Sequence, residues 1–267
     1  MTQGTRKDAM NLLTHFERIT VAVEDLIRDL IGTADAGLYV GMGADGTPTQ
    51  RIDRIAEDSI LEYLDAHPFC RTLISEEAGR KDLGGEKGTL FLDPIDGTYN
   101  AVSGIPFFAL SMAYAEEGVV QEGFVRDLAH GETFYARRGE GALHDGRPIH
   151  VSNTAYLETS AMSIYGRKFN PSRVMQLGRK VRRWRLFGAS ALELCYVGCG
   201  RIDGFIDLRG TLRVTDAAAG MLVCEEAGGE VTDLNGFDIR FPDEVTVGRC
   251  MIATNGVLHH KVIEYLR

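Results

Sequence analysis

Residues 90–98 read Leu-Phe-Leu-Asp-Pro-Ile-Asp-Gly-Thr. The apolar start predicts a buried strand that ends on Asp93, and a proline then bends the chain before a second carboxylate at Asp96. Gly97 and Thr98 open a turn or helix whose free N–H groups can bind an anion. Two carboxylates this close repel each other, and a divalent cation such as Mg²⁺, which prefers oxygen ligands, removes that repulsion. Taken alone, the stretch is equally compatible with a surface turn.

Two further segments place carboxylates next to apolar sequence. Residues 73–79 (Leu-Ile-Ser-Glu-Glu-Ala-Gly) put Glu76 and Glu77 directly after a strand-like run, and residues 214–220 (Val-Thr-Asp-Ala-Ala-Ala-Gly) put Asp216 at the start of a small-residue helix. Taken alone, the glutamates are better explained by a solvated turn, and an ordinary helix N-cap explains the aspartate about as well as a metal ligand does. The metal-site hypothesis becomes the better one only when the three segments are considered together.

The composition is that of a globular protein. The 267 residues carry 29 Lys and Arg against 38 Asp and Glu, a formal charge of −9, and 44% are hydrophobic. These values exclude a disordered chain, a coiled coil and a collagen-like repeat, and the acidic balance argues against a protein built mainly to bind nucleic acid. Five scattered cysteines, no apolar signal core near the start and no long apolar run predict a soluble, cytoplasmic protein without a membrane span.

Apolar periodicity predicts a single α/β unit of packed layers over residues 1–267. Stripes over 12–30 and 52–64 indicate two helices, and the five glycines between residues 32 and 48 indicate a loop that acts as a mobile flap. Helices and strands then interleave without a linker. The predicted strands are 90–92, 109–115, 119–125, 132–137, 160–164, 204–208 and 250–254, and the predicted helices are 192–198, 216–227 and 259–266.

Together the three acidic segments resemble the inositol monophosphatase superfamily of Mg²⁺-dependent sugar phosphatases. The resemblance rests on residues 93–98, on Glu76 with Glu77, and on Asp216 followed by residues 217–220 and by Glu-Ala-Gly-Gly at 226–229. It covers nearly the whole chain and implies an alternating αβαβα sandwich, with N-terminal helices, a metal-binding sheet half and a C-terminal α/β half. Many members carry Trp where this chain has Thr215, which leaves the ligand itself unchanged. Residues 50–58 and 191–196 are closer to the archaeal branch, whose members commonly hydrolyse both fructose 1,6-bisphosphate and inositol 1-phosphate.

The resemblance implies two to three Mg²⁺ ions in each active site. Glu76, Asp93 and the Ile95 carbonyl would hold one ion. Asp93 would also bind a second ion and bridge the two, and Asp96 and Asp216 would be the other ligands of that second ion. A third, weaker ion would lie near Glu76. Such a pair of ions lowers the pKa of the attacking water and stabilises the leaving oxygen in an in-line displacement.

The resemblance also implies the groups that act on the substrate. The N–H groups of Gly97 and Thr98 would hold the phosphate together with Asp96, and the Thr98 hydroxyl, Glu76 and Asp53 would orient the attacking water as the catalytic residues. Four more residues would face the sugar and any second phosphate: Arg185, Gly188, Ser190 and Arg209.

Several questions about substrate and partners stay open at the level of sequence. Arg209 stands where inositol-preferring animal members carry a glutamate, which favours a bisphosphate, because arginine binds phosphate in a bidentate manner. Arg185 belongs to a basic stretch, 179–185, that also fits a solvated surface or RNA binding. Tyr165 is a weaker candidate for the sugar. The alternatives are a phosphatase of a 3′-phosphonucleotide or NADP, and a non-catalytic RNA- or protein-binding relative; a homodimer is the family expectation.

Overall fold

A computed structural model describes residues 11–165 and 171–267, and within a helix it leaves out the side chains of 171–173. The N-terminal residues 1–10, including the start where no signal core was found, lie outside the described residues. In the described ranges the helices are α1 (Leu12–Ile27), α2 (Arg51–Ala66), α3 (Thr98–Ser103), α4 (Pro171–Gly178), α5 (Ser190–Gly198), α6 (Val214–Glu226) and α7 (His259–Leu266).

The strands form one large sheet, one smaller sheet and a separate hairpin. The hairpin pairs β1 (Tyr39–Met42) with β2 (Pro48–Gln50). The eight-stranded sheet has the order β10-β9-β8-β7-β6-β5-β3-β4 and is antiparallel apart from the parallel β3–β5 pair. Its strands are β3 (Thr72–Ser75), β4 (Gly79–Asp82), β5 (Thr89–Asp96), β6 (Ala109–Glu116), β7 (Val119–Asp127), β8 (Thr133–Arg137), β9 (Gly141–His144) and β10 (Arg147–Pro148).

The smaller sheet has five strands in the order β12-β11-β13-β15-β14. Strand β11 runs parallel to β12 and β13, while β15 is antiparallel to its neighbours. The strands are β11 (Ala161–Tyr165), β12 (Arg183–Arg185), β13 (Gly204–Leu212), β14 (Glu230–Thr232) and β15 (Arg249–Thr254).

Helices cover both faces of both sheets. The pair α1 and α2 packs on one face of the large sheet, α5 and α6 lie between the two sheets, and α4 and α7 cover the outer face of the small sheet. Four apolar cores fill the four junctions. The predicted αβαβα sandwich is therefore confirmed.

Small residues let the central helix layer approach its neighbours. A Cβ at Gly123 of β7 would lie 2.8 Å from the Ala219 carbonyl oxygen of α6, and a Cβ at Gly220 would lie 2.6 Å from that of Ala191 in α5. Side chains at these points would push α6 away from the sheet and from α5. This close packing fixes the N-terminal turn of α6, and Asp216 with it.

The predicted loop over residues 32–48 is wrong in one respect, because the segment contains β1 and the first residue of β2. Strand β1 is exposed along its whole length. It therefore lacks the alternation of buried and exposed side chains by which a strand is recognised in sequence. The backbone N–H groups of Ala44 and Asp45, in the turn of the hairpin, donate to the carbonyls of Glu77 and Glu76. These bonds hold the hairpin beside the acidic segment.

Candidate active site

A polar cavity of about 500 Å³ opens where the two sheets and the hairpin meet. Of the twelve residues to which the sequence assigned a role, two, Asp53 and Arg185, are not among the residues that line it. The other ten line it: Glu76, Asp93, Ile95, Asp96, Gly97, Thr98, Gly188, Ser190, Arg209 and Asp216. The cavity also contains residues that sequence reasoning missed, among them Asp45, Thr47, Thr211, Arg213 and Thr246.

Strand β5 brings its aspartates to the cavity because its pairing with β6 shifts between Asp93 and Asp96. The backbone N–H of Ile95 turns back to donate to the Asp93 carboxylate at 3.1 Å. Gly97 follows with φ +92°, and a Cβ there would lie 3.1 Å from both the Ala189 methyl and the Gly188 carbonyl. Only glycine satisfies both the left-handed backbone and this close approach.

Three carboxylates from three elements converge. Glu76 follows β3, Asp93 lies in β5 and Asp216 is the third residue of α6, and one oxygen of each lies within 4.8 Å of the others. Burial raises the pKa of Glu76 to about 8, an effect that Arg213 opposes and Asp216 reinforces. Burial also raises the pKa of Asp93 well above its usual value, and Glu76 and Asp96 add to that shift. Buried acidic groups that destabilise one another in this way are a favourable set of ligands for a divalent cation.

Arg213, the N-cap residue of α6, supplies positive charge to this cluster. One Nη donates to Glu76 at 2.8 Å and to Asp45, and the other donates to Asp216 at 2.9 Å. Its Nε and its backbone N–H bond the second oxygen of Asp216 at 3.1 and 3.0 Å. Sequence reasoning missed Arg213, and the signal that could have identified it is its position three residues before Asp216.

Asp96 does not join the three clustered carboxylates. Its two oxygens accept hydrogen bonds from the backbone N–H groups of Ser190 at 3.1 Å and Ala191 at 2.7 Å, at the start of α5. These N–H groups have no partner within the helix and are stabilised by a negative charge. Asp96 therefore caps a helix that lies more than ninety residues away in the chain.

Thr98 and Asp53 form a hydrogen-bonded pair at the cavity wall. The Thr98 hydroxyl lies 3.0 Å from the Asp53 carboxylate and 3.0 Å from the Ile95 carbonyl oxygen, and it can donate to either. Burial raises the pKa of Asp53 to about 7, although the Thr98 hydrogen bond opposes the shift. Asp53 is thus a group that exchanges a proton near neutral pH.

The opposite side of the cavity carries an ordered set of polar groups. The Tyr165 hydroxyl donates to Glu193 at 2.8 Å, and the Gly188 N–H donates to the same oxygen at 2.9 Å. The Arg209 guanidinium lies over the Tyr165 ring at 4.2 Å and bonds Asp207 through Nε at 3.0 Å and through Nη at 2.5 Å. Tyr165 and Arg209 are held rigidly where they line the cavity.

Arg185 and Glu77 point elsewhere. Arg185 lies in the edge strand β12, its side chain is exposed, and its guanidinium donates to the Trp184 carbonyl. Glu77 follows Glu76 in the turn between β3 and β4, and its carboxylate accepts a hydrogen bond from the Thr49 hydroxyl instead of joining Glu76. The basic stretch 179–185 lies outside the cavity.

A family model described as the inositol monophosphatase family matches residues 18–267 of this chain. The chain belongs to the inositol monophosphatase family. The resemblance drawn from the three acidic segments is confirmed.

Curated relatives agree with this assignment. The fructose-1,6-bisphosphatase/inositol-1-monophosphatase of Methanothermobacter thermautotrophicus is 40% identical over 93% of this chain and 94% of its own length. The bifunctional NADP phosphatase/NAD kinase of Methanococcus maripaludis is 36% identical over 95% of this chain, which spans 49% of that protein. These relatives are named as phosphatases, in agreement with the predicted phosphoric monoester hydrolase.

A solved structure extends the likeness to three dimensions. A crystal structure of an inositol monophosphatase–fructose 1,6-bisphosphatase superposes with a TM-score of 0.88 at 31% identity, and the match covers 97% of this chain and all of that one. Within residues 11–165 and 171–267, no helix has the length and apolar character needed to cross a membrane.

Proposed function

We propose that this protein is a Mg²⁺-dependent phosphatase of small phosphorylated sugars, hydrolysing fructose 1,6-bisphosphate and inositol 1-phosphate. The observation that carries the proposal is the cluster of Glu76, Asp93 and Asp216 in a polar cavity beside the Thr98–Asp53 pair. The names of the relatives point to these two substrates.

The donor set fits magnesium. Glu76, Asp93 and Asp216 offer hard oxygen ligands, and the Ile95 carbonyl lines the same cavity. Bound Mg²⁺ supplies a water of lowered pKa and stabilises charge on the leaving oxygen. Each oxygen of Asp96 accepts one hydrogen bond from α5 and keeps a second lone pair, so Asp96 can contribute to a second ion. We therefore assign the three clustered carboxylates as metal ligands and Asp96 as a ligand of a second ion.

Thr98 and Asp53 are proposed to handle the proton of the attacking water. A hydroxyl that donates to Asp53 presents its lone pairs to the cavity, where it can accept a hydrogen bond from water. As the water passes a proton to the Thr98 oxygen, Thr98 can pass its own hydroxyl proton to ionised Asp53, whose pKa of about 7 suits this role. Glu76 is proposed to orient the same water.

The remaining groups are proposed to hold the substrate. The backbone of Gly97 and Thr98 begins α3 and leaves N–H groups for the phosphate. Gly188, Ser190 and Arg209 line the sugar side of the cavity. Arg185 loses its assigned role in this cavity, because its side chain lies outside it. A homodimer and a cytoplasmic location are proposed on the family resemblance alone.

The proposal is tested by measuring phosphate release from fructose 1,6-bisphosphate, inositol 1-phosphate, NADP and 3′-phosphoadenosine 5′-phosphate, each with Mg²⁺ and with EDTA. Asp216→Asn should lose activity on every substrate that the wild type hydrolyses. Asp233→Asn, outside the cavity, is the matched control and should retain it. Hydrolysis of NADP alone would favour the nucleotide alternative, whereas no Mg²⁺-dependent release from any of the four would refute the proposal.

A further inference from the structure

The guanidinium of Arg213 shares its oxygen partners with the proposed metal site. It donates to Glu76 and to both oxygens of Asp216, two of the three clustered carboxylates. A carboxylate oxygen that binds a cation keeps one lone pair for a donor, but a guanidinium held against the ligand oxygens repels a cation that binds them. Binding of Arg213 and binding of a divalent cation therefore oppose each other at these carboxylates.

We propose that Arg213 is a built-in counter-ion of the acidic cluster, and that a divalent cation binds by displacing its guanidinium from Glu76 and Asp216. This inference rests on the metal site of the proposed function. It makes Arg213 a positioning residue, which sets the affinity of the site for metal without touching substrate.

The charges around the cavity support this role. In the part of the chain that the structure describes, two arginines line the cavity, and Arg209 already donates to Asp207. Arg213 is therefore the cation that faces Glu76, Asp93 and Asp216. Its side chain is only 21% exposed, so the opposite charges interact in a medium that screens them weakly. Without it, the buried carboxylates would repel one another with no compensation.

Asp45 gives the displaced guanidinium a partner. The same Nη of Arg213 donates to Asp45, whose side chain is 1% exposed in the turn between β1 and β2. Arg213 can therefore swing away from Asp216 and Glu76 while keeping one charged hydrogen bond. The cost of displacement is lowered, and the turn of the hairpin becomes coupled to metal occupancy.

The test compares Mg²⁺ binding by the wild type and by Arg213→Met, which keeps an unbranched side chain but removes the charge. Isothermal titration of chelator-treated protein with MgCl₂ should show binding about tenfold tighter in the variant, because no charged hydrogen bonds have to be broken. The chelator-treated variant should also melt several degrees lower, and saturating Mg²⁺ should close most of that gap. Weaker or unchanged Mg²⁺ affinity in Arg213→Met would overturn the inference.

Arg126→Met is the matched control. Arg126 has a side-chain exposure of 23% and bonds Glu24 and Thr133, away from the cavity. This variant should lose stability equally with EDTA and with Mg²⁺ and should keep the wild-type Mg²⁺ affinity. If wild type and Arg126→Met both bind no Mg²⁺, the proposed metal site fails and the inference fails with it. If both bind Mg²⁺ and Arg213→Met binds it no more tightly, the inference alone fails.

A second measurement does not depend on folding of the methionine variant. The Nε–H signal of Arg213, identified by its loss in Arg213→Lys, can be followed by NMR as wild-type protein is titrated with MgCl₂. Displacement should shift this signal and speed its exchange with solvent, because the bond to Asp216 is broken. A signal that stays fixed through saturation would overturn the inference.

Discussion

Replacing Asp53 by asparagine should stabilise the chelator-treated protein more at high pH than at low pH. Asp53 is 6% exposed, and burial raises its pKa from 3.8 to about 7. The folded protein therefore holds this proton more tightly than the unfolded chain. Its stability falls as pH rises from about 4 through about 7 and levels off above that. Asparagine stays neutral at every pH and removes this part of the slope.

The magnitude follows from the two pKa values. At about 1.36 kcal/mol for each pH unit, the gap between 3.8 and about 7 corresponds to a cost of about 4 kcal/mol once the carboxyl is fully ionised. The cost is about 2 kcal/mol at pH 5 and about 4 kcal/mol at pH 8.5. The advantage of Asp53→Asn over the wild type in free energy of unfolding should thus grow by about 2 to 3 kcal/mol between pH 5 and pH 8.5. This increase is on the order of half the cost of a fully buried unpaired charge.

Urea unfolding in EDTA at pH 5 and pH 8.5 measures this change. The pH dependence is the diagnostic quantity, because a constant offset from the altered Thr98 hydrogen bond cancels in the comparison. Asp58→Asn, on the exposed face of the same helix, should follow the wild type at both pH values. Parallel free-energy profiles for Asp53→Asn and the wild type would refute the reasoning. Turnover with Mg²⁺ should fall by about a hundredfold in Asp53→Asn, since the proton acceptor is lost.

Three further outcomes are expected. Asp93→Asn should abolish activity and leave the EDTA-treated protein equally or more heat-stable, because carboxylate repulsion is relieved; near-normal turnover at saturating Mg²⁺ would contradict this. The hairpin at residues 39–50 should gain protection from amide hydrogen exchange when Mg²⁺ and phosphate bind, and equal protection would show that it does not close. Arg209→Ala should lower kcat/KM by about thirtyfold for fructose 1,6-bisphosphate and several-fold at most for inositol 1-phosphate, while Arg185→Ala should change neither; equal losses on both substrates would assign Arg209 to the shared sugar or to structure.

The sequence predicted those site residues that come with a local pattern. Asp93 ends an apolar run and Asp216 begins a small-residue helix, and both patterns survive in the fold as β5 and the first turn of α6. The α/β layering was predictable from the apolar periodicity of helices such as α1, α2 and α7, whereas α5 and α6 are buried on nearly all sides and the αβαβα order came from the family resemblance.

Residues whose role depends on a distant partner could not be found in this way. Asp96 shares the motif with Asp93, yet each of its oxygens also accepts a hydrogen bond from α5, and the sequence near residue 96 does not predict that contact. Asp45 lies in a glycine-rich segment whose strand is exposed, so only its contact with Arg213 marks it. Arg185 was assigned to the sugar through the family resemblance, whereas here it lies in the edge strand β12 with its side chain exposed.

The charged residues that line the cavity lead us to expect that cations bind before phosphate. Five carboxylates face two arginines there, and Arg209 is already matched by Asp207. A phosphate that enters this cavity before a cation meets acidic side chains in a weakly screened environment, which opposes its binding. Arg213 lessens the repulsion among the carboxylates, but with its donors directed to Glu76, Asp216 and Asp45 it has little left to offer a phosphate. In the proposed displacement, cation binding releases this guanidinium. Phosphate binding, which is unfavourable before this step, becomes favourable after it.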